Sequence, residues 1–316
     1  MASSVDMVQF DWDNTATYQQ LMFANQQLAA EKQELEDIIA MVAHKFRGAL
    51  QSIEYNLEHE NLTKRSLDAV HTMKGLLNTL STISISEERL RNQLTQDERG
   101  EGTIQLVLEK SIALAFSELL TISNTHKISQ HYFAYAKRIR QIPSTLTRKE
   151  WKNHYRLRHS LQQEWENSFS MLLNEPCLDK MIAWITARFF PIEIHGLTES
   201  SIHFERYGAI ESTLTVIMTE MILNAIKYYA SPARTPLQLD WHCDDNVCRF
   251  VCKNPSHQKE WRLDKGSGRG QTFLSLIAKK LGGHFPKPSF QENYVAEFDI
   301  PSRLLMEKQD EPVFMD

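Results

Sequence analysis

Cysteine is scarce in this chain of 316 residues, which contains only four. They are Cys177, Cys243, Cys248 and Cys252. His242 and His257 lie near three of them, which raises the question of a metal site or a disulfide. No Cys-x-x-Cys pair occurs, so the spacing disfavours zinc. Cys243 and the run from Cys248 to Cys252 instead fit the two arms of a hairpin that turns at residues 244–246, and strands commonly bury cysteine as a small apolar residue.

Long apolar runs are absent as well. No stretch of about 18 apolar residues occurs, and residues 1–14 are acidic, without the basic start and apolar centre of a signal peptide. We therefore expect no membrane span, no signal peptide and a cytoplasmic protein. The apolar fraction of 42% is enough to bury cores for about two domains. The net charge of -5 argues against a dedicated nucleic-acid binder.

Residues 220–228 predict a functional helix. Helical spacing places Glu220, Asn224 and Lys227 along one stripe of an otherwise apolar segment. Asn224 offers a neutral oxygen to a hard cation, and Lys227 offers a point charge for phosphate. Glu220 supplies a carboxylate that can hold a water or accept a proton. This stripe suits the chemistry of a Mg2+-bound nucleotide.

Three glycines form a second element of the same site. Gly266, Gly268 and Gly270 alternate just before a helical stretch that starts near Thr272. Glycine lets the backbone approach phosphate groups closely at a helix N-terminus. Alone, this pattern is typical of a flexible turn, but together with the polar stripe it predicts an ATP site.

With these residues the chain resembles the GHKL ATPases, and within them the histidine kinases of two-component signalling. Glu220, Asn224, Lys227 and Tyr228 resemble the N box of the family, and the three glycines resemble its second glycine box. The resemblance spans residues 195–302. It implies that Asn224 holds Mg2+ and that Lys227 and the glycine loop meet the phosphates of ATP. DNA gyrase, a heat-shock chaperone family and the mismatch-repair ATPases share this nucleotide fold, so the site alone does not imply a kinase.

The N-terminal part carries a heptad pattern. Leucines at 21, 28 and 35 are followed at the same spacing by Val42 and Ala49, and an interleaved row runs through residues 25, 32, 39, 46 and 53. A second helical stretch with apolar residues at helical spacing follows a turn near Asn61. Two such helices are half of a dimeric four-helix bundle. His44 falls at the f position, directly away from the seam.

The residues from His44 to Leu50 resemble the histidine kinase H box, whose usual form is His, an acid, any residue, Arg, a small residue, Pro and Leu. The resemblance implies that His44 is the phosphoacceptor and that Arg47 belongs to the catalytic motif. The alternative interpretation of His44 is a solvated histidine on a helix surface.

Two departures from the family pattern bear on the mechanism. Lys45 replaces the acid that normally takes the imidazole proton, and a cation at this place cannot act as that base. Phosphorylation would then be slow or use another base, for which Glu220 is a candidate. Asn254 replaces the aspartate that reads adenine, and no glycines follow it. Its amide oxygen still accepts a hydrogen bond from the adenine amino group, but more weakly because it is neutral.

An insertion separates the two regions of resemblance. An apolar helix is predicted at residues 104–120, and about 100 residues lie between it and the N box, which is room for several extra helices. Residues 126–173 look helical. Between Lys127 and Ser160 they carry nine Lys or Arg against the single acid Glu150, with aromatic residues interleaved. We expect a solvated face that props the ATP domain, with a protein or nucleic-acid contact as the alternative.

The predicted fold class is α+β: a coiled-coil helical hairpin followed by a GHKL-like α/β sandwich with a helical insertion. The expected domains are a flexible N-terminus at 1–16, the dimerisation and phosphoacceptor hairpin at 17–100, the ATP-binding domain at 104–302 and an acidic tail at 303–316. Within the ATP-binding domain we expect elements at 201–206, 214–229, 237–253, 272–281 and 294–300, with Gly282 and Gly283 capping the fourth.

The resemblance implies a soluble, homodimeric histidine kinase that phosphorylates His44 with Mg2+-bound ATP and passes the phosphoryl group to a response-regulator receiver domain. The signal would arrive through an upstream sensor protein, the N-terminal segment or the insertion. Two alternatives stay open. One is a degenerate kinase in which His44 relays phosphate between receiver domains, and the other is a regulatory scaffold that only binds nucleotide.

Overall fold

The computed structural model describes residues 17–33, 100–122, 177–197, 202–231, 233–256, 269–290 and 292–305, together with scattered single positions. In this part of the chain the helices are α1 (residues 17–33), α2 (Ile104–Ile122), α3 (Leu178–Arg188), α4 (Ala209–Tyr228) and α5 (Arg269–Leu281). The strands are β1 (Gly102–Thr103), β2 (Ile192–His195), β3 (His203–Phe204), β4 (Leu237–Cys243), β5 (Val247–Pro255), β6 (Ser289–Phe290) and β7 (Asn293–Pro301). A 3-10 turn, Ser302–Leu304, follows β7.

A five-stranded mixed sheet organises the fold. Its strand order is β2-β4-β5-β7-β6, with β2 and β4 parallel and the other neighbours antiparallel. The short strands β1 and β3 form a separate antiparallel ribbon. Helix α4 packs on the central strands β5 and β7, α5 packs on β7, and α3 packs on β2. The α+β class predicted from the sequence is confirmed by this architecture.

Buried and more exposed residues alternate strictly along β5 and β7, and this pattern shows which face of the sheet the helices cover. Every second residue of each strand is buried, and the residues between them are more exposed. Phe250 and Phe298 lie directly opposite each other in the register and are both buried. The opposite face of the sheet is polar, and there Arg249 makes two hydrogen bonds to Asp299, at 2.6 and 3.0 Å. The sheet therefore has one helix-covered face and one solvated face.

Helix α4 is the centre of the core. Sixteen of its 20 residues are buried, because it is sandwiched between α2 and the sheet. By length and composition it would also suit a membrane span, yet 89% of its most apolar window is buried inside the fold. Such burial is typical of a core helix. The helix starts at Ala209, five residues before the predicted start, and Gly208 is its N-cap.

The predicted hairpin is confirmed, with β4 and β5 turning at residues 244–246. The Asp244 carboxylate accepts hydrogen bonds from the backbone N–H groups of Asn246 and Val247, both at 2.8 Å. Cys243 and Cys248 lie opposite each other in the register and form a disulfide. The expectation that β5 buries its cysteines is confirmed for Cys248 and Cys252, of which Cys252 is free, whereas Cys243 is half-buried.

The C-terminal part of the sheet extends into the predicted acidic tail. The Ser302 hydroxyl donates to the backbone carbonyl of Asp245 at 2.6 Å, and Leu304 and Leu305 are buried. The hairpin turn is thus tied to the chain that leaves β7. Packed structure continues to Leu305, beyond the boundary at residue 302 that the sequence suggests.

Several predicted features lie outside the described residues: His44, Arg47, Gly266, Gly268 and nearly all of the basic insertion at 126–173. Helix α1 falls within the predicted first helix of the bundle. Its d-position leucines, Leu21 and Leu28, are 57% and 62% exposed in the single chain. The dimerisation bundle itself stays a prediction.

Candidate functional site

The polar stripe on α4 lies where the helix meets the sheet. Glu220 and Asn224 are both buried, and the Asn224 amide nitrogen donates to a carboxylate oxygen of Glu220 at 3.2 Å. This bond joins two side chains one helical turn apart. Because the amide nitrogen is used, the amide oxygen is the atom of Asn224 that is suited to a hard cation. Lys227 and Tyr228 follow in the last turn of the same helix and are half-buried.

Gly270, the last glycine of the predicted loop, lies against this stripe. It is in the first turn of α5, and a Cβ atom at this position would stand 1.9 Å from a carboxylate oxygen of Glu220. Only glycine leaves room for the Glu220 side chain in its present place. The fold therefore brings the N-terminus of α5 onto the α4 stripe, which joins the two sequence motifs at one location.

We expect Gly270→Ala to displace the Glu220 carboxylate, because the new methyl group would overlap it. Loss of the hydrogen bond to Asn224 should weaken nucleotide binding about tenfold, the size of one hydrogen bond to a charged group. Titration with ATP in the presence of Mg2+ measures this change. Gly208→Ala is the matched control, because Gly208 has an ordinary φ of -73° and caps the opposite end of α4. Equal binding by both variants would show that the contact between Gly270 and Glu220 is irrelevant to the site.

Asn254 lies at the end of β5, on the helix-covered face. Its side chain is 1% exposed, and the amide nitrogen donates to the Pro255 carbonyl at 3.2 Å. This bond identifies the oxygen end of the amide, since the reverse orientation would put two oxygens together. The amide oxygen has no hydrogen-bond partner among the described residues. A buried acceptor without a partner is costly, and a ligand that donates to it would remove that cost.

Two tyrosine rings stand beside this acceptor. Tyr294 is the cross-strand neighbour of Asn254, and its ring centroid is 4.8 Å from that of Tyr228. Burial raises the pKa of Tyr228, and the nearby Glu220 carboxylate raises it further. The pKa of Tyr294 lies well above its usual range, mainly because of burial. Both phenols are neutral at physiological pH, so the rings add apolar surface without negative charge.

The donor set fits a Mg2+-bound nucleotide. Mg2+ usually keeps several waters and takes few protein oxygens together with substrate phosphates, and the amide oxygen of Asn224 would be such a protein ligand, with the Glu220 carboxylate beside it. Within the described parts of the chain, no three His, Cys, Asp or Glu side chains converge as a metal site. The unpartnered oxygen of Asn254 and the rings of Tyr228 and Tyr294 suit a planar base that carries an amino group.

The structure thus brings together five of the residues that the sequence singles out. These are Glu220, Asn224, Tyr228, Gly270 and, at the end of β5, Asn254, and Lys227 is on the same helix end. Sequence analysis missed Tyr294, whose place depends on the register of β7 against β5. It also missed Ser256, although the residue follows Asn254 at the two-residue spacing that puts side chains on one face of a strand.

The solved structures similar to this chain include histidine kinases. A histidine kinase from Burkholderia phymatum STM815 aligns at 13% identity with a TM-score of 0.29, over 56% of this chain and 98% of that one. The Acinetobacter baumannii histidine kinase AdeS aligns at 13% identity with a TM-score of 0.29, and the alignment covers 57% of this chain and 98% of that one. The histidine kinase domain of the blue-light activated histidine kinase EL346 from Erythrobacter litoralis aligns at 12% identity with a TM-score of 0.29. This alignment covers 61% of this chain and 93% of that one. No protein-family model and no curated protein matches the chain. At these identities and TM-scores the likeness carries no function over to this chain, whose chemistry is set by the residues of its own site.

Proposed function

We propose that this chain is a histidine kinase-like signalling protein that binds ATP with Mg2+ at the site formed by α4, α5 and the end of β5. The observation that carries the proposal is the buried oxygen of Asn254, which has no partner among the described residues and lies on the side of the sheet that α4 covers. In this proposal the adenine amino group donates to Asn254, and Asn224 binds Mg2+ through its amide oxygen. Lys227 and the glycine loop contact the phosphates.

The proposed reaction moves the γ-phosphoryl group of ATP to an imidazole nitrogen of His44 and releases ADP. The ring proton must pass to a base, and Lys45 is a cation that cannot accept it. Glu220 is the candidate base in the nucleotide domain. The phosphoryl group then passes from His44 to an aspartate of a response-regulator receiver domain, which regenerates the free histidine.

We further propose that two copies of the chain associate through α1. Tyr18, Leu21 and Leu28 lie on the seam of the heptad pattern and are exposed in the single chain. A row of large apolar side chains on a helix surface is stabilised when a second helix covers it. Dimerisation would complete the four-helix bundle that presents His44 on its outer face.

Transfer of label from γ-labelled ATP to the purified chain of 316 residues tests the kinase proposal. We expect Mg2+-dependent, acid-labile label on the wild type and none on His44→Ala. His242→Ala is the matched control, because His242 is exposed on the solvated face of the sheet, away from the α4 stripe. Absence of label from a folded protein that binds ATP would exclude the kinase and leave the phosphotransfer or scaffold alternatives.

Lys45 specifically favours one second candidate function. Without a carboxylate beside His44, transfer of the γ-phosphoryl group from ATP to His44 is disfavoured. A phosphorylated receiver aspartate can donate its phosphoryl group to His44 without ATP. The chain would then be a histidine phosphotransferase with a nucleotide-binding domain. A cytoplasmic location, an upstream sensor partner and a contact through residues 127–160 stay predictions under either function.

A further inference from the structure

A second buried polar atom without a partner lies next to the proposed base site. The Ser256 side chain is 3% exposed, and its hydroxyl has no hydrogen-bond partner among the described residues. Its own backbone N–H donates to the Glu292 carbonyl at 3.4 Å, so the pairing of β5 with the chain before β7 continues past Pro255. The backbone N–H of Ser256 is therefore paired, whereas its hydroxyl has no partner in the described part of the chain.

Strand geometry puts this hydroxyl on the same side as Asn254. Buried and exposed residues alternate along β5, and buried Ser256 continues the row of Phe250, Cys252 and Asn254 that faces the helices. Two neighbouring side chains of one row thus each bury a polar atom that finds no hydrogen-bond partner in the part of the chain that the structure describes. Native proteins rarely leave such atoms unsatisfied, so each one calls for an explanation. A bound base that faces both side chains would satisfy the two atoms at once.

The two atoms differ in what they offer. The Asn254 oxygen only accepts a hydrogen bond, and its orientation is fixed by the bond from its amide nitrogen to Pro255. The Ser256 hydroxyl can donate or accept, and it rotates to suit. Side by side they match a base edge with an amino group next to a ring nitrogen that carries no hydrogen. The 6-amino group and N1 of adenine form such an edge, whereas guanine presents an acceptor and a donor there.

We propose that Ser256 is a base-contacting residue whose hydroxyl donates to N1 of adenine while Asn254 accepts from the 6-amino group. The inference rests on the proposed nucleotide site and adds a specificity-determining residue to it. The hydrogen bond from Ser256 offsets the weaker contact that adenine makes with the neutral amide of Asn254, compared with the contact that a charged aspartate would make. The rings of Tyr228 and Tyr294, 4.8 Å apart, supply the apolar surface beside this edge.

An analogue that lacks only N1 tests this contact directly. We would measure displacement of a fluorescent ATP derivative from full-length protein with Mg2+ by ATP and by 1-deaza-ATP, in which a C–H group replaces N1. The wild type should bind ATP about tenfold tighter than the analogue, the effect of one hydrogen bond. Ser256→Ala should bind both equally, at the weaker level. Ser256→Thr, which keeps the hydroxyl, should restore the preference for ATP.

Ser289→Ala is the matched control, because Ser289 is exposed on the edge strand β6. It should keep the wild-type preference. If wild type and Ser256→Ala bind ATP and 1-deaza-ATP with the same ratio, the contact to N1 is excluded while the nucleotide site stands. If the wild type binds no nucleotide at all, the proposed function fails, and the role of Ser256 fails with it.

Discussion

Asn224→Ala should weaken Mg2+-dependent ATP binding about 100-fold, because the loss of an outer-shell partner of a metal ligand alone costs about 10- to 100-fold and Asn224 is the proposed ligand itself. The variant removes the amide oxygen proposed as the Mg2+ ligand. It also removes the donor that holds the Glu220 carboxylate at 3.2 Å. Isothermal titration with ATP, with Mg2+ and then with chelator, measures the effect. The loss should be concentrated in the Mg2+-dependent part of the binding.

The matched control is Asn246→Ala, in which the same side chain is removed from the exposed turn of the β4–β5 hairpin. That turn is held by the Asp244 carboxylate and by backbone groups of Asn246, so binding should stay at the wild-type level. Thermal unfolding of both variants separates a lost ligand from a lost fold. Unchanged Mg2+-dependent binding by folded Asn224→Ala would exclude Asn224 as the ligand.

The α4 stripe was predictable because it depends on local spacing. Glu220, Asn224 and Lys227 are three and four residues apart, which fixes their common side of a helix. The glycine spacing likewise indicated that the backbone comes close to another group. In the structure, Gly270 lies directly against the Glu220 side chain. Sequence alone could not name that neighbour, because α5 and α4 are far apart in the chain and come into contact only in the folded structure.

The parts that sequence analysis missed depend on long-range register or on short elements. Tyr294 lies beside Asn254 only because β7 pairs with β5 in one particular register. Strands β1 and β6 have two residues each, too few for alternation to be recognised. The early start of α4 was missed because the helix is buried on nearly all sides, so its apolar pattern has no clear beginning. The disulfide depends on the hairpin register that sets Cys243 opposite Cys248.

Lys110→Met should lower the free energy of unfolding by about 3 kcal/mol, because it leaves a buried carboxylate without its main counter-charge. Lys110 on α2 pairs with Glu211 in the first turn of α4, and their side chains are 11% and 3% exposed. The other Glu211 oxygen accepts from the Tyr207 N–H at 2.8 Å, and Arg206 is 3.7 Å away. Tyr207 has a φ of 63°, so Glu211 also holds a residue in the left-handed region.

Urea unfolding followed by circular dichroism measures the loss of unfolding free energy. Lys279→Met, at an exposed position of α5, is the matched control, and its free energy of unfolding should change by less than about 0.5 kcal/mol. The double variant Lys110→Met/Glu211→Gln should be more stable than Lys110→Met alone, because glutamine still accepts from Tyr207 but buries no charge. If the double variant is less stable than Lys110→Met, the Glu211 carboxylate is stabilised by its other neighbours. Lys110 would then act through its contact with the Tyr207 ring, whose centroid lies 4.5 Å from the Lys110 ammonium.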